Sequence, residues 1–146
     1  MIYTMLTSKA MEIAYNAHHG QKDVNGVPYI FHPMHVAEGM KDELTTCVAI
    51  LHDVVEDTDV TMEELSEVFP ENVIECLKIL THDDSEDYFE YIKRIAANPV
   101  AKIVKLGDLA HNMDESRIYD KTTVSEEQLN WWRFKYEKAL NILSQS

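Results

Sequence analysis

Residues 45–58 read Thr45-Thr46-Cys47-Val48-Ala49-Ile50-Leu51-His52-Asp53-Val54-Val55-Glu56-Asp57-Thr58, an apolar run that passes abruptly into an imidazole and three acids. The spacing predicts a helix over about Thr45 to Val55, buried in its first half. Residues three or four apart share a helix face, so Glu56 falls near His52 and Asp53, and Asp57 near Asp53. Carboxylates crowded against a core repel one another and lose hydration, a penalty on the order of several kcal/mol per ion unless a cation or hydrogen bonds offset it. A divalent metal is the simplest offset. The plainer alternative is a helix ending near Val55 with its acids in water.

The anomaly recurs downstream. A helix expected over Val100 to Arg117 carries Asp108 between Leu106 and Leu109, one turn after Val104, on its inward face, with His111 and Asn112 a turn later. Upstream, His32 stands at a loop-to-helix junction in Tyr29-Ile30-Phe31-His32-Pro33, flanked by apolar anchors. His32, His52, Asp53 and Asp108 therefore form a candidate nitrogen and oxygen donor set suited to manganese, iron or zinc, with sites left open for water and a phosphoryl oxygen. Such an ion acidifies water and polarises phosphorus, leaving Glu56 or Asp57 to accept or deliver protons.

Around these segments nearly everything reads as helix. The 4 glycines and 4 prolines give few turn signals to compete with helical spacing. Thr7 is expected to cap a first helix that Gly20 stops, and Gln21 to Phe31 is a loop. Pro33 suits the first turn of a short helix to about Lys41. Thr61 and Glu64 make a capping box for a helix through Phe69, and Pro70 opens another to about Leu80. Helices are expected again over Ser85 to Ala97 and Ser125 to Leu143. The fold class is all-α, a bundle of about seven to eight helices.

The blocks His18-His19-Gly20-Gln21, Gly26-Val27-Pro28-Tyr29-Ile30-Phe31-His32-Pro33, Leu51 to Thr58 and Lys105-Leu106-Gly107-Asp108 with His111-Asn112-Met113 occur in order. Together they closely resemble the HD-domain hydrolase of RelA/SpoT-type alarmone enzymes. The resemblance implies an HD fold holding one manganese ion, other divalent metals being possible, and removal of the 3′-diphosphate of guanosine tetraphosphate or pentaphosphate. It implies His32, His52, Asp53 and Asp108 as ligands, Glu56 and Asp57 as the catalytic acidic pair, and Asn112 as a nucleotide contact. It also implies a stand-alone hydrolase domain over 1–146, with a family-like core of about 7–117 and a C-terminal helix of about 125–143.

Departures from the family pattern bear on the substrate. Asp23-Val24 replaces a basic Arg-Lys pair, Asn25 replaces a serine, and Leu109 stands where the family has an arginine. The guanidinium that would stack on guanine and an ammonium that would bind phosphate are missing. Lys22, Lys102, Lys105 and Arg117 are candidates to compensate. A different nucleotide, such as a deoxynucleotide or the 2′-phosphate of a reduced nicotinamide dinucleotide, and a non-catalytic nucleotide-binding module are the alternatives.

The other conspicuous residues have plainer readings. His35 is expected to be half-exposed rather than a ligand, His111 to support Asp108, and His18, His19 and His82 to sit at helix ends. Tyr88, Phe89, Tyr91, Ile92 and Ile95 read as core, and the Trp131, Trp132, Phe134 and Tyr136 helix as packing on the domain or on a second subunit, making a homo-oligomer possible. Glu63, Glu64, Glu67 and Glu71 form a solvated face. Cys47 and Cys76 read as core.

The chain of 146 residues, 45% hydrophobic, is sized for one domain. Its 26 acidic against 13 basic side chains give a formal charge of -13, which opposes extended nucleic acid as a partner. A small phosphorylated nucleotide is compatible, since a bound dication dominates the local field. With no basic-flanked apolar leader and no 18-residue apolar span, a soluble cytoplasmic protein without a membrane partner is expected.

Overall fold

The computed structural model describes residues 1–145, so Ser146, the last residue of the expected domain, lies outside the description. The fold is all-α, and among the described residues the only β pairing is an isolated antiparallel bridge between Lys22 and Pro28. The helices are α1 (Met5–Ala17), α2 (Phe31–Glu38), α3 (Glu43–Leu51), α4 (Val54–Asp57), α5 (Met62–Ser66), α6 (Glu71–Leu80), α7 (Tyr88–Ala96), α8 (Pro99–Asn112) and α9 (Glu126–Ser144).

Helix α3 is the centre of the molecule. Every residue from Thr45 to Leu51 is buried, and the helix packs against α1, α2, α6 and α8. An element surrounded on all sides needs apolar side chains around its whole circumference, as its sequence supplies. Helix α8 lies across α2 and α3 and turns Ala101, Val104 and Asp108 inward along one stripe, with Leu109 beside it. Gly107 permits this approach: a Cβ there would lie 3.2 Å from Val36 Cγ1 and 3.3 Å from Met40 Cε. Helix α9 closes the bundle against α7 and α8.

Several boundaries differ from expectation. Thr4, not Thr7, caps α1, while Thr7 answers as the reciprocal member of the capping box. Asp87 rather than Ser85 starts α7, its carboxylate accepting from two amides of the first turn. Helix α8 ends at Asn112, and a separate turn capped by Asp114 covers Glu115–Arg117. The expected helix through His52 and Asp53 breaks after Leu51 and restarts at Val54. The cause is local: the Ala49 carbonyl, which a continued helix would offer to the Asp53 amide, accepts from His52 Nδ1 at 2.5 Å. The capping box of Thr61 and Glu64, the opening at Pro70 and the cap at Ser125 stand where expected, although the helix after Thr61 ends at Ser66 rather than Phe69.

Candidate metal centre

Four side chains from three regions of the chain meet where α2, the α3–α4 break and α8 converge. One donor atom each from His32, His52, Asp53 and Asp108 lies within 4.8 Å of every other. His32 Nε2 is 2.8 Å from Asp108 Oδ1 and 3.7 Å from Asp53 Oδ2. His52 Nε2 is 3.1 Å from Asp53 Oδ2 and 3.4 Å from Asp108 Oδ1. His32, His52 and Asp108 are buried, and Asp53 is partly exposed.

The way each group is held identifies the atoms left for a ligand. His52 donates through Nδ1 to Ala49, while its buried Nε2 has no hydrogen-bond partner despite the nearby carboxylates. A buried polar atom without a partner is costly, and this one faces two carboxylate oxygens. A cation between them would satisfy all three. His32 Nδ1 sits 2.7 Å from His111 Nδ1, which fixes the ring and turns Nε2 toward the cluster. Asp108 Oδ2 accepts from Lys105 Nζ at 2.8 Å and its Oδ1 from Asn112 Nδ2 at 3.2 Å. Tyr29 donates its hydroxyl to Asp53 Oδ2 at 2.6 Å.

The electrostatics follow from burial among opposite charges. Burial alone would depress the His52 imidazole, but Asp53 and Asp108 outweigh it and push its pKa well above the usual histidine range. Burial would raise Asp53, yet His52 wins and holds it at about 2. For Asp108 the same opposition is decided by Lys105, with His32 and His52, which keep it well below the carboxylate range. His111 is lowered to about 4 by burial, then by Arg117 and the neighbouring histidines, so it is neutral at pH 7. The unprotonated nitrogen of a neutral His111 can accept a hydrogen bond from His32 Nδ1.

Glu56 and Asp57 follow on α4. Glu56 is exposed as a residue, but its Oε1 accepts from the His82 amide at 2.7 Å. Loss of hydration, opposed by that amide and reinforced by Asp53 and Asp57, raises its pKa to about 7. Asp57 is raised by the same loss of hydration and by Asp53.

A cavity of about 440 Å³ opens beside the cluster, with Tyr29, His32 and Asn112 on its inner side and Trp132, Tyr136 and Leu129 of α9 on another wall. Asp23, Asn25, Lys22 and Arg117 also line it, whereas Glu56 and Asp57 do not. Leu109 lies wholly in the core, and Lys105 is committed to Asp108. Lys102 is not in the cavity lining.

Of the remaining histidines, His35 is exposed and stacks on His111 at 4.0 Å between ring centroids, in keeping with its expected place outside the ligand set. His111 supports His32, not Asp108 as expected, because α2 and α8 lie side by side. His18 is the C-cap of α1, but its ring is buried, bonded to Gln21 and packed on Tyr29. The roles of Lys105 and Tyr29 were missed from sequence. Lys105 stands three residues before Asp108 on one helix, a spacing that signals the pair, whereas Tyr29 reaches Asp53 from a loop with no periodic signal.

The sequence profile of the HD domain family matches residues 10–130. The chain is 36% identical over 117 residues to a guanosine-3′,5′-bis(diphosphate) 3′-pyrophosphohydrolase of Aquifex aeolicus, covering 72% of this chain and 17% of that protein. It is likewise 36% identical over 122 residues to the protein of that name in Borreliella burgdorferi, covering 72% and 18%. Against the bifunctional (p)ppGpp synthase/hydrolase SpoT of Escherichia coli K12 the identity is 34% over 120 residues, covering 72% and 17%. The chain thus spans less than a fifth of the length of these curated relatives. A solved structure, described as a metazoan ortholog of SpoT that hydrolyzes ppGpp, superposes with a TM-score of 0.85 at 24% identity, covering 98% of this chain and 88% of that one. That likeness fixes the fold.

Proposed function

This chain belongs to the HD domain family, and on that footing we propose that it is a metal-dependent hydrolase that removes the 3′-diphosphate from guanosine tetraphosphate or pentaphosphate. The observation that carries the reading is His52 Nε2, buried, without a hydrogen-bond partner and facing two carboxylates. The names of the relatives supply the substrate class.

His32, His52, Asp53 and Asp108 would hold the ion, and their mixed nitrogen and oxygen donors suit manganese. When bound, a divalent ion supplies Lewis-acid polarisation of a phosphoryl group and lowers the pKa of water. The chain's own groups do the rest. Water adds to the phosphorus joined to the 3′ oxygen, that P–O bond breaks, pyrophosphate leaves, and the 3′ oxygen gains a proton. Glu56, whose pKa is raised to about 7 by loss of hydration and then by Asp53 and Asp57, is poised to hold or move the proton at neutral pH. Asn112 and Tyr29 bridge the donor set and the cavity, where Trp132 and Tyr136 offer aromatic faces to a base. We take the bundle and α9 as one working unit, since α9 forms a wall of the cavity.

Asp23 in that lining favours a second reading, the same chemistry on a less charged nucleotide. Manganese-loaded protein given guanosine tetraphosphate is expected to release pyrophosphate, and replacing Glu56 with Gln and Asp57 with Asn together is expected to slow release by about 100-fold or more. No turnover across several divalent metals would contradict hydrolysis. Faster turnover of a deoxynucleotide or a nicotinamide dinucleotide 2′-phosphate would select the second reading.

A further inference from the structure

Both arginines of the cavity lining are already paired with carboxylates, and Asp114 and Glu137 line it besides. Arg133 Nε and one terminal nitrogen bind Glu115 at 2.7 and 2.6 Å, a two-point pair. Arg117 reaches Asp23 Oδ2 at 3.5 Å with one nitrogen and donates to the His111 carbonyl at 2.9 Å with the other. Among the described residues Lys22 is the one lining cation shown with no carboxylate partner, and it is exposed. A phosphate entering this part of the cavity finds Lys22 as its one unpaired cation among the described residues, and otherwise displaces a carboxylate from an arginine or lies against Asp23.

Resting on the hydrolase reading above, we infer that Asp23 is a specificity residue that weakens binding of nucleotides carrying a second phosphate group besides the one seated at the metal cluster. Asp23 has two separable duties. Its Oδ1 accepts from the Asn25 and Val27 amides at 2.8 and 3.0 Å and so shapes the turn at Gly26, whose φ is +80°. Its Oδ2 and its charge face Arg117. An amide oxygen would serve the turn as well as a carboxylate oxygen, so the charge is not required by the local fold. It also explains how a chain with arginines in its cavity wall still offers little positive field to an anion there.

The test compares affinities of guanosine 3′,5′-bis(diphosphate) and guanosine 3′-diphosphate by calorimetry with manganese present, in a Glu56→Gln, Asp57→Asn background so that turnover is slow during the titration. Asp23→Asn keeps the turn acceptor, removes the charge and frees Arg117. It is expected to tighten the bis(diphosphate) about tenfold, less at high salt, and to leave the 3′-diphosphate within about twofold. Asp23→Ser, which also keeps an acceptor, is expected to repeat the shift. An equal change for both ligands, no change for either, or no binding of either would overturn the role given to Asp23. If the protein with Glu56 and Asp57 intact cleaves neither nucleotide, the hydrolase reading alone falls, because the affinities decide the role of Asp23 separately.

Discussion

His52 is tied by one ring nitrogen and open at the other, and much of the site's chemistry follows from that asymmetry. Its pKa is held well above the usual histidine range by Asp53 and Asp108 against the opposing effect of burial, so the metal-free ring carries a proton that an ion must displace. Manganese affinity is therefore expected to fall as pH is lowered, with protons released on binding, as calorimetry in buffers of different ionisation heat would show. His52→Ala is expected to cost at least about 10–100-fold in that affinity. Glu56 gives a second prediction, with the opposite sense from a salt-bridged acid. Its pKa rises on folding from 4.5 to about 7, so the unfolded chain releases this proton first and stability is lost as pH climbs through that interval. In metal-free protein, Glu56→Gln should gain on the parent in denaturant midpoint between pH 5 and pH 8, and a constant gap would contradict the shift. At this scale the sequence was informative where chemistry was out of place: acids beside an apolar run marked Asp53 and Asp108. It was silent on Tyr29, whose contact is made by a loop, and it misassigned His111, whose partner is set by the packing of α2 on α8.

At the scale of elements, the decisive feature is the interruption between α3 and α4. Periodicity gave the buried run correctly but extended it through Asp53, because a helix pattern does not reveal that a side chain will take a backbone acceptor. The interruption separates Asp53, which joins the donor set, from Glu56 and Asp57, which follow on their own short helix. For α8 the periodicity gave the inward stripe of Val104 and Asp108, but the helix was expected over Val100 to Arg117, whereas Asn98 caps it, Pro99 starts it and it ends at Asn112. Asn98 accepts from the Val100 and Ala101 amides at 3.0 and 2.9 Å, so Asn98→Ala is expected to lower stability by about 1 kcal/mol in denaturant titration. Manganese affinity should change much less than for His52→Ala, because the cap lies at the opposite end of α8 from Asp108. A loss of metal binding as large as that of the ligand variant would show that α8 is positioned by its first turn rather than by its packing on α2 and α3.

Over the whole molecule, a formal charge of -13 surrounds a cluster built to take a cation, and the cavity beside it pairs its arginines with carboxylates. The fold class was legible because few glycines and prolines interrupt helical spacing and the capping residues are strong. The convergence of His32, His52, Asp53 and Asp108 was legible only as four separate anomalies, since no local pattern brings residues 76 positions apart to 2.8 Å. The aromatic helix α9, expected to pack on the domain or on a second subunit, lies against α7 and α8, and its contribution to a cavity wall depends on the tertiary path. No helix among the described residues is long and apolar enough to cross a membrane. The donor cluster is tested most directly by diffraction on either side of the manganese absorption edge, from crystals grown with that metal. A single anomalous peak among His32, His52, Asp53 and Asp108 is the expected result, and a peak elsewhere, or none at saturating manganese, would contradict it.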